Sequence, residues 1–234
     1  MKIGALTCLL FFSSAAGAQT VYTFADFVNV GGDTLKQKYD NAAAQGRQGN
    51  TDAFWIAYEM SGRMNVRINS ADGIDVVQRN NPERAAMFLL VRKSDSTIEK
   101  LRIVDLSREI TVHDRKVYWL GKPNSDESAG LLLGIARTSP STQVRKDAVF
   151  WIGLEISRQA GDELEKLASA DPEVEVQKQV VFALSLRNSD ESIPSLIRIA
   201  KEHANPVVRR QAIFWLGQKR DPRVLDFFEQ LLKK

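Results

Sequence analysis

Apolar and polar positions in the second half of the chain fall in a fixed register. Val144-Arg145-Lys146-Asp147-Ala148-Val149-Phe150-Trp151-Ile152-Gly153 returns 64 residues later as Val208-Arg209-Arg210-Gln211-Ala212-Ile213-Phe214-Trp215-Leu216-Gly217. Val176-Gln177-Lys178-Gln179-Val180-Val181-Phe182-Ala183-Leu184-Ser185 lies midway, so the unit is 32 residues. Asn124-Ser125-Asp126-Glu127-Ser128 recurs in the same phase as Asn188-Ser189-Asp190-Glu191-Ser192. Leu132, Leu164, Leu196 and Phe228 share that step, as do Ile135, Leu167, Ile199 and Leu231. Independent motifs in one register define a repeat array.

Each unit predicts two helices. Ile193, Leu196, Ile197 and Ala200 have the 3- and 4-residue spacing of a helix face, and Asn188 with Glu191 forms a capping-box pattern at its start. The second helix opens on a cap followed by proline, at Ser139-Pro140, Asp171-Pro172 and Asn205-Pro206; Asp221-Pro222 opens the last first-type helix. From Ala148 to Leu154 the second helix is apolar around most of its circumference, which predicts a helix sandwiched between neighbours.

Val-Arg-x-x-Ala-x-x-x-Leu-Gly on a unit of this length resembles the short HEAT-like repeat first associated with phycobilisome lyases. Val144, Arg145, Ala148, Ile152 and Gly153 carry the pattern, as do Val208, Arg209, Ala212, Leu216 and Gly217; the middle copy departs at Gln177 and Ser185. The resemblance covers roughly 124–234. It implies an all-α solenoid of HEAT-like helical hairpins, about three and a half repeats, whose relatives serve as scaffolds, lyase subunits and adaptors alike. In that pattern a small residue usually stands where this chain has Trp151 and Trp215. Both are expected to be buried between helices, in space their neighbours vacate. Arg145 and Arg209 belong to the consensus and are expected to brace loops between repeats.

Residues 19–123 lack the period and predict a small α+β domain. Asp33 to Gln45 reads as a helix entered after Gly31-Gly32 and ended at Gly46. Ala53 to Tyr58 is a short aromatic strand pattern, and Met64, Val66 and Ile68 alternate. Ala85 to Val91 and Ile98 to Leu106 read as a hairpin joined by Ser94-Asp95-Ser96-Thr97. Val112 to Gly121 fits the repeat frame, with Tyr118-Trp119-Leu120-Gly121 under Phe150-Trp151-Ile152-Gly153. Lys100, however, stands where Leu132 and Leu164 stand, so a terminal strand or connector is preferred to a degenerate repeat. This domain is expected to pack on the first repeat and cap an otherwise open apolar end.

Residues 1–18 have the three parts of a signal peptide: Lys2, the apolar run Ile3 to Phe12, and Ala16-Gly17-Ala18 before Gln19. Cleavage after Ala18 and a periplasmic or secreted location are the expectation. No second apolar stretch of membrane-spanning length follows. Cys8 lies inside the segment and too early for a lipoprotein, so the mature chain would hold no thiol, disulfide or cysteine metal site. An exported protein would not meet the cytosolic substrate of a phycobilisome lyase, so that activity is not expected.

Charge narrows the partners. The net charge is +3 over 234 residues, and 125–234 carries 16 basic against 16 acidic side chains. That balance argues against a nucleic-acid partner. His113 and His203 have no cysteine or HxxxH companion, and Asp126-Glu127 and Asp190-Glu191 sit at helix starts, where the macrodipole already favours carboxylates. Ser13-Ser14 and Ser139 lack a nucleophile-elbow context, and Gly31-Gly32 lacks the rest of a phosphate loop. No catalytic, cofactor or metal constellation is expected.

One helix face stands out instead. Lys146, Lys178 and Arg210 align across the repeats, and so do Phe150, Phe182 and Phe214. On a helical wheel Phe150 lies opposite the cluster of Val144, Ala148, Trp151 and Ile152, about 40° from Lys146. The family likeness implies that the phenylalanine site faces the concave surface. These six residues are the candidate partner-binding set of a non-catalytic scaffold, suited to an extended or helical protein segment carrying acidic groups. The competing reading packs the rings against the N-terminal domain or across the curve. A different function, a small-ligand receptor or enzyme, would have its site around Trp55 and Tyr58.

Overall fold

The computed structural model describes residues 20–60, 74–76, 84–154 and 159–233, with only the strand path given for 74–76. The alternating segment Met64 to Ile68 and the signal segment lie outside the described residues. The first half is sheet-rich, and a run of seven helices follows among the described residues.

The larger sheet has the order β2-β8-β3-β5-β6, built from β2 (Val28–Asn29), β3 (Ala53–Glu59), β5 (Ala85–Arg92), β6 (Ile98–Asp105) and β8 (Val117–Trp119). β3, β5 and β6 are antiparallel neighbours, whereas β8 runs parallel to β2 and β3. The expected hairpin is present, and Ser96 in its turn takes a left-handed φ of 60°. A smaller antiparallel sheet, β1 (Val21–Thr23), β7 (Ile110–His113) and β4 (Ile74–Val76), lies in the order β1-β7-β4. Val112 to Gly121 therefore contributes β7 and β8, and the strand reading of that segment holds.

Alternation along β3 explains why every residue in it is buried. Phe54, Ile56 and Tyr58 enter one apolar cluster with Met87 and Leu89. Trp55 and Ala57 enter another with Phe88, Leu90, Ile110 and Val112. The first cluster continues through helix α1 (Leu35–Gly46) and on into the repeat helices. Helix α1 is started by a capping box between Thr34 and Gln37, two residues later than the pattern from Asp33 predicts. Its end lies hard against β3: a Cβ on Gly46 would lie 2.3 Å from the Phe54 ring.

The seven helices are α2 (Ser125–Thr138), α3 (Thr142–Leu154), α4 (Gln159–Ala170), α5 (Val174–Leu186), α6 (Ser189–Glu202), α7 (Pro206–Gly217) and α8 (Pro222–Leu232). Starts of α3, α5 and α7 at 142, 174 and 206 keep the 32-residue step. Leu132, Leu164 and Leu196 are fully buried at one register position, and Val144, Val176 and Val208 at another. Helix α8 presents the same first-helix positions with less cover, so Phe228 is half-buried and Leu231 is 47% exposed.

The helix starts correct one expectation. Pro206 and Pro222 stand in the first turn behind the caps Asn205 and Asp221, but Pro140 and Pro172 precede α3 and α5 by two residues. Counted by 32, Ser139, Asp171 and His203 are one position, and the residues that precede the helices are Ser141, Glu173 and Asn205. The Ser-Pro and Asp-Pro pairs therefore shape the turns between paired helices.

Three links tie the repeat helices to the sheet region. The Tyr58 hydroxyl accepts from Ser128 Oγ at 3.4 Å, Glu127 Oε1 accepts from the Leu35 N–H at 3.1 Å, and α3 packs against the edge strand β6.

Candidate functional site

Helices α3, α5 and α7 lie side by side, and their spacing follows from two small residues. A Cβ on Gly153 would lie 2.8 Å from Ala183 Cα and 2.9 Å from its carbonyl oxygen, so α3 and α5 meet at backbone distance. One repeat on, Ser185 and Trp215 replace that glycine–alanine pair between α5 and α7. The Trp215 ring centroid lies 5.0 Å from that of Phe182. Trp151 and Trp215 are half-buried against the core, a correction to the expected full burial. Their rings straddle the boundary between the helix contact and the outer face.

The three phenylalanines lie on that outer face and are tied into one row. Phe150 and Phe182 stack with centroids 6.2 Å apart and planes at 15°. Phe182 meets Trp215, and Phe214 packs edge-on to Trp215 at 5.0 Å. Phe150 meets Trp151 edge-on at 4.9 Å. Phe150 and Phe182 are half-buried by this mutual packing, and Phe214 is 54% exposed.

Lys146, Lys178 and Arg210 stand one turn before the rings on the same helices, as residues four apart must. Lys178 pairs with Glu175 at 3.0 Å, so one cation of the three is engaged within the face. Among the described residues Lys146 and Arg210 make no ion pair, and no cation lies over a ring of the row. One turn beyond the rings, Leu154 and Leu186 are exposed. Leu154, expected inside a sandwiched helix, is instead on the open face, and Leu186 extends that face one repeat on. Their 32-residue spacing, four residues past each phenylalanine, is the signal that marks them.

Asp147 sits beside this face, half-buried near the charges of Arg102 and Lys146. Burial pushes its carboxyl above the ordinary value of 3.8, against the pull of a 2.6 Å hydrogen bond from Gln143 and the two charges. The folded state thus holds this proton more tightly than the unfolded state, and stability falls as pH rises through those values. Asp147→Asn is expected to melt with the wild type below pH 3.8 and above it at pH 7. A variant that melts lower at pH 7 contradicts the assignment.

The recurring polar position of the repeat is structural. Arg145, Gln177 and Arg209 each donate to the carbonyl six residues back, at Ser139 (3.0 Å), Asp171 (2.8 Å) and His203 (2.6 Å). Arg145 also reaches the next repeat, where Asp171 accepts two hydrogen bonds at 2.8 and 3.2 Å in a buried pair. His203 accepts from the Asn205 N–H on Nδ1 and so donates from Nε2 to the Ala168 carbonyl, which joins α6 to α4. Lys219 donates to the carbonyls of Ser185 and Arg187, and burial pushes its ammonium down. Both ring nitrogens of His203 are used in packing.

Among the described residues Trp55 and Tyr58 do not open onto a shared pocket. Trp55 and Tyr58 are fully enclosed in opposite faces of the sheet, and the Trp55 indole nitrogen has no partner. The acids at the helix starts are engaged in caps and contacts: Glu127 binds Asn124 and Leu35, and Asp190 binds Arg223 at 3.1 Å. A cleft of about 480 Å³ does open between α1, the β5–β6 turn and α2, bordered by Tyr39, Ile98, Leu131 and Ile135. Burial pushes the Tyr39 hydroxyl up to about 12, so it stays protonated there at neutral pH. Among the described residues no group of three or more His, Cys, Asp or Glu side chains is arranged to hold a metal ion. No helix among them is long and apolar enough to cross a membrane.

Residues 208–234, from the motif valine in α7 through α8, match the family model described as PBS lyase HEAT-like repeat. That segment is thus similar to a HEAT-like repeat. No curated protein matches the chain.

Proposed function

We propose that the protein is a non-catalytic interaction scaffold of the bacterial cell envelope. In this reading the helices of 124–234 form a HEAT-like solenoid, and the face of α3, α5 and α7 holds a partner protein on its concave side. The sheet region of 19–123 caps the first repeat through α3 on β6. The observation that carries the reading is the partly exposed aromatic row, in which Phe214 is open to solvent. Helix packing does not require a phenylalanine on the outer face of three successive helices, and Leu154 and Leu186 enlarge the same apolar strip. Contiguous exposed apolar surface of this kind marks interaction sites.

The test is an affinity capture from periplasmic extract with the wild type and with the variant Phe150→Ser/Phe182→Ser/Phe214→Ser. The variant is expected to keep its helical circular dichroism and lose the proteins the wild type retains. Retention of every captured protein sinks the reading. Export is checked separately by intact mass: the protein recovered from the periplasm is expected to lack residues 1–18 and begin at Gln19. A full-length mass would remove the envelope assignment.

A further inference from the structure

We propose that the occupant of this face is an amphipathic α-helix with acidic residues along one flank, laid across α3, α5 and α7; this rests on the reading of the face as a docking surface. The face is banded. Steps of four residues advance only about 40° round a helix, so each second helix carries a cation, then a phenylalanine, then a third residue in line. The bands are Lys146, Lys178 and Arg210; Phe150, Phe182 and Phe214; and Leu154, Leu186 and Gln218. A partner crossing the helices thus meets a basic edge, an aromatic centre and a largely aliphatic edge.

Charge supports an acidic flank. Among the described residues the face has two acids of its own, and both are occupied: Glu175 holds Lys178, and Asp147 accepts from Gln143 near Arg102. What remains for a partner is Lys146 at one end and Arg210 at the other. An exposed pair such as Lys178–Glu175 contributes little, so it also exchanges readily.

Backbone chemistry supports a helix. An extended segment would lay unpaired N–H and C=O groups on an aromatic ridge, where α3, α5 and α7 have already used their own backbone groups. A helix brings those groups satisfied.

The probes are three labelled peptides of about three heptads, long enough at ~1.5 Å per residue to cross all three helices. The first has leucine and phenylalanine at seven-residue intervals with glutamates on one flank. In the second lysines replace those glutamates, and the third is the acidic peptide broken by two prolines. Anisotropy titrations use the full mature chain. The acidic helix is expected to bind at least tenfold more tightly than either of the other two. Lys146→Glu/Arg210→Glu is expected to reverse the preference toward the lysine peptide, with the helical circular dichroism retained. Equal binding of the acidic and lysine peptides, undiminished binding of the proline-broken peptide, or no binding of the acidic peptide overturns the proposal. So does tighter binding to phosphatidylserine vesicles than to the acidic peptide. If the triple Phe→Ser variant loses its captured proteins while the acidic peptide fails, the docking face stands and the acidic helical occupant falls.

Discussion

Replacing Asp171 by alanine is expected to destabilise the protein by about 3–5 kcal/mol, a fall in Tm of about 10 °C. The reason is what the substitution leaves behind. Arg145 is 8% exposed and gives two hydrogen bonds to the Asp171 carboxylate. Without that carboxylate a guanidinium stays enclosed between repeats with only the Ser139 carbonyl still accepting from it. Asp171 Oδ1 also accepts from the Glu173 N–H, so the turn into α5 loses a bond as well. Removing both charges is a different experiment. Arg145→Met with Asp171→Leu is expected to recover much of the loss, because no uncompensated charge remains. Thermal melts of the single and double variants decide it. A single variant within a degree of wild type would show that the pair lies in water.

This pair also marks the boundary of what the sequence discloses. The period exposes every position that is buried in the same way in each copy. Leu132, Leu164 and Leu196 share one environment, so the fold of the helical half is legible from residue type alone. Asp171 is not legible in that way, because its register mates are Ser139 and His203, three side chains with three different tasks. Asp171 neutralises Arg145 and His203 bridges to Ala168, while Ser139 Oγ accepts from the Ser141 N–H inside its own turn. The prolines mislead for a related reason: Asn205-Pro206 looks like Asp171-Pro172 but sits two residues later in the register.

The candidate face shows the same division. Phe150, Phe182 and Phe214 read as outward-facing from the wheel because their angle is set by the backbone of their own helix. Trp151 and Trp215 do not, because their burial depends on the distance to a neighbouring helix. For Trp215 the neighbour is α5, where Ser185 stands at the register position of Gly153. The sheet region was legible strand by strand from alternation and turns. Its parallel placement of β8 between β2 and β3 was not, since no local pattern encodes a pairing as distant in sequence as Trp55 with Val117.

Gly153→Val is expected to cost about 3 kcal/mol, at the upper end for overpacking. It should also disable the face. Even the first added carbon would lie 2.8 Å from Ala183 Cα and 2.9 Å from the Ala183 carbonyl oxygen, atoms that cannot swing aside as a side-chain tip does. Relief requires α3 and α5 to part. Phe150 and Phe182 ride on those two helices, so their 6.2 Å stack opens and the band they form is broken. The loss of stability and the loss of the row are therefore one event, unlike in the triple Phe→Ser variant, where only the row is removed. Ala183→Gly added to Gly153→Val is expected to restore little, because two of the three obstructing atoms belong to the backbone of residue 183. The measurement pairs a thermal melt with the peptide titration. Full recovery in the double variant would mean that the Ala183 methyl alone sets the spacing. Unchanged peptide affinity in Gly153→Val would mean that the stacked rings do not form the binding surface.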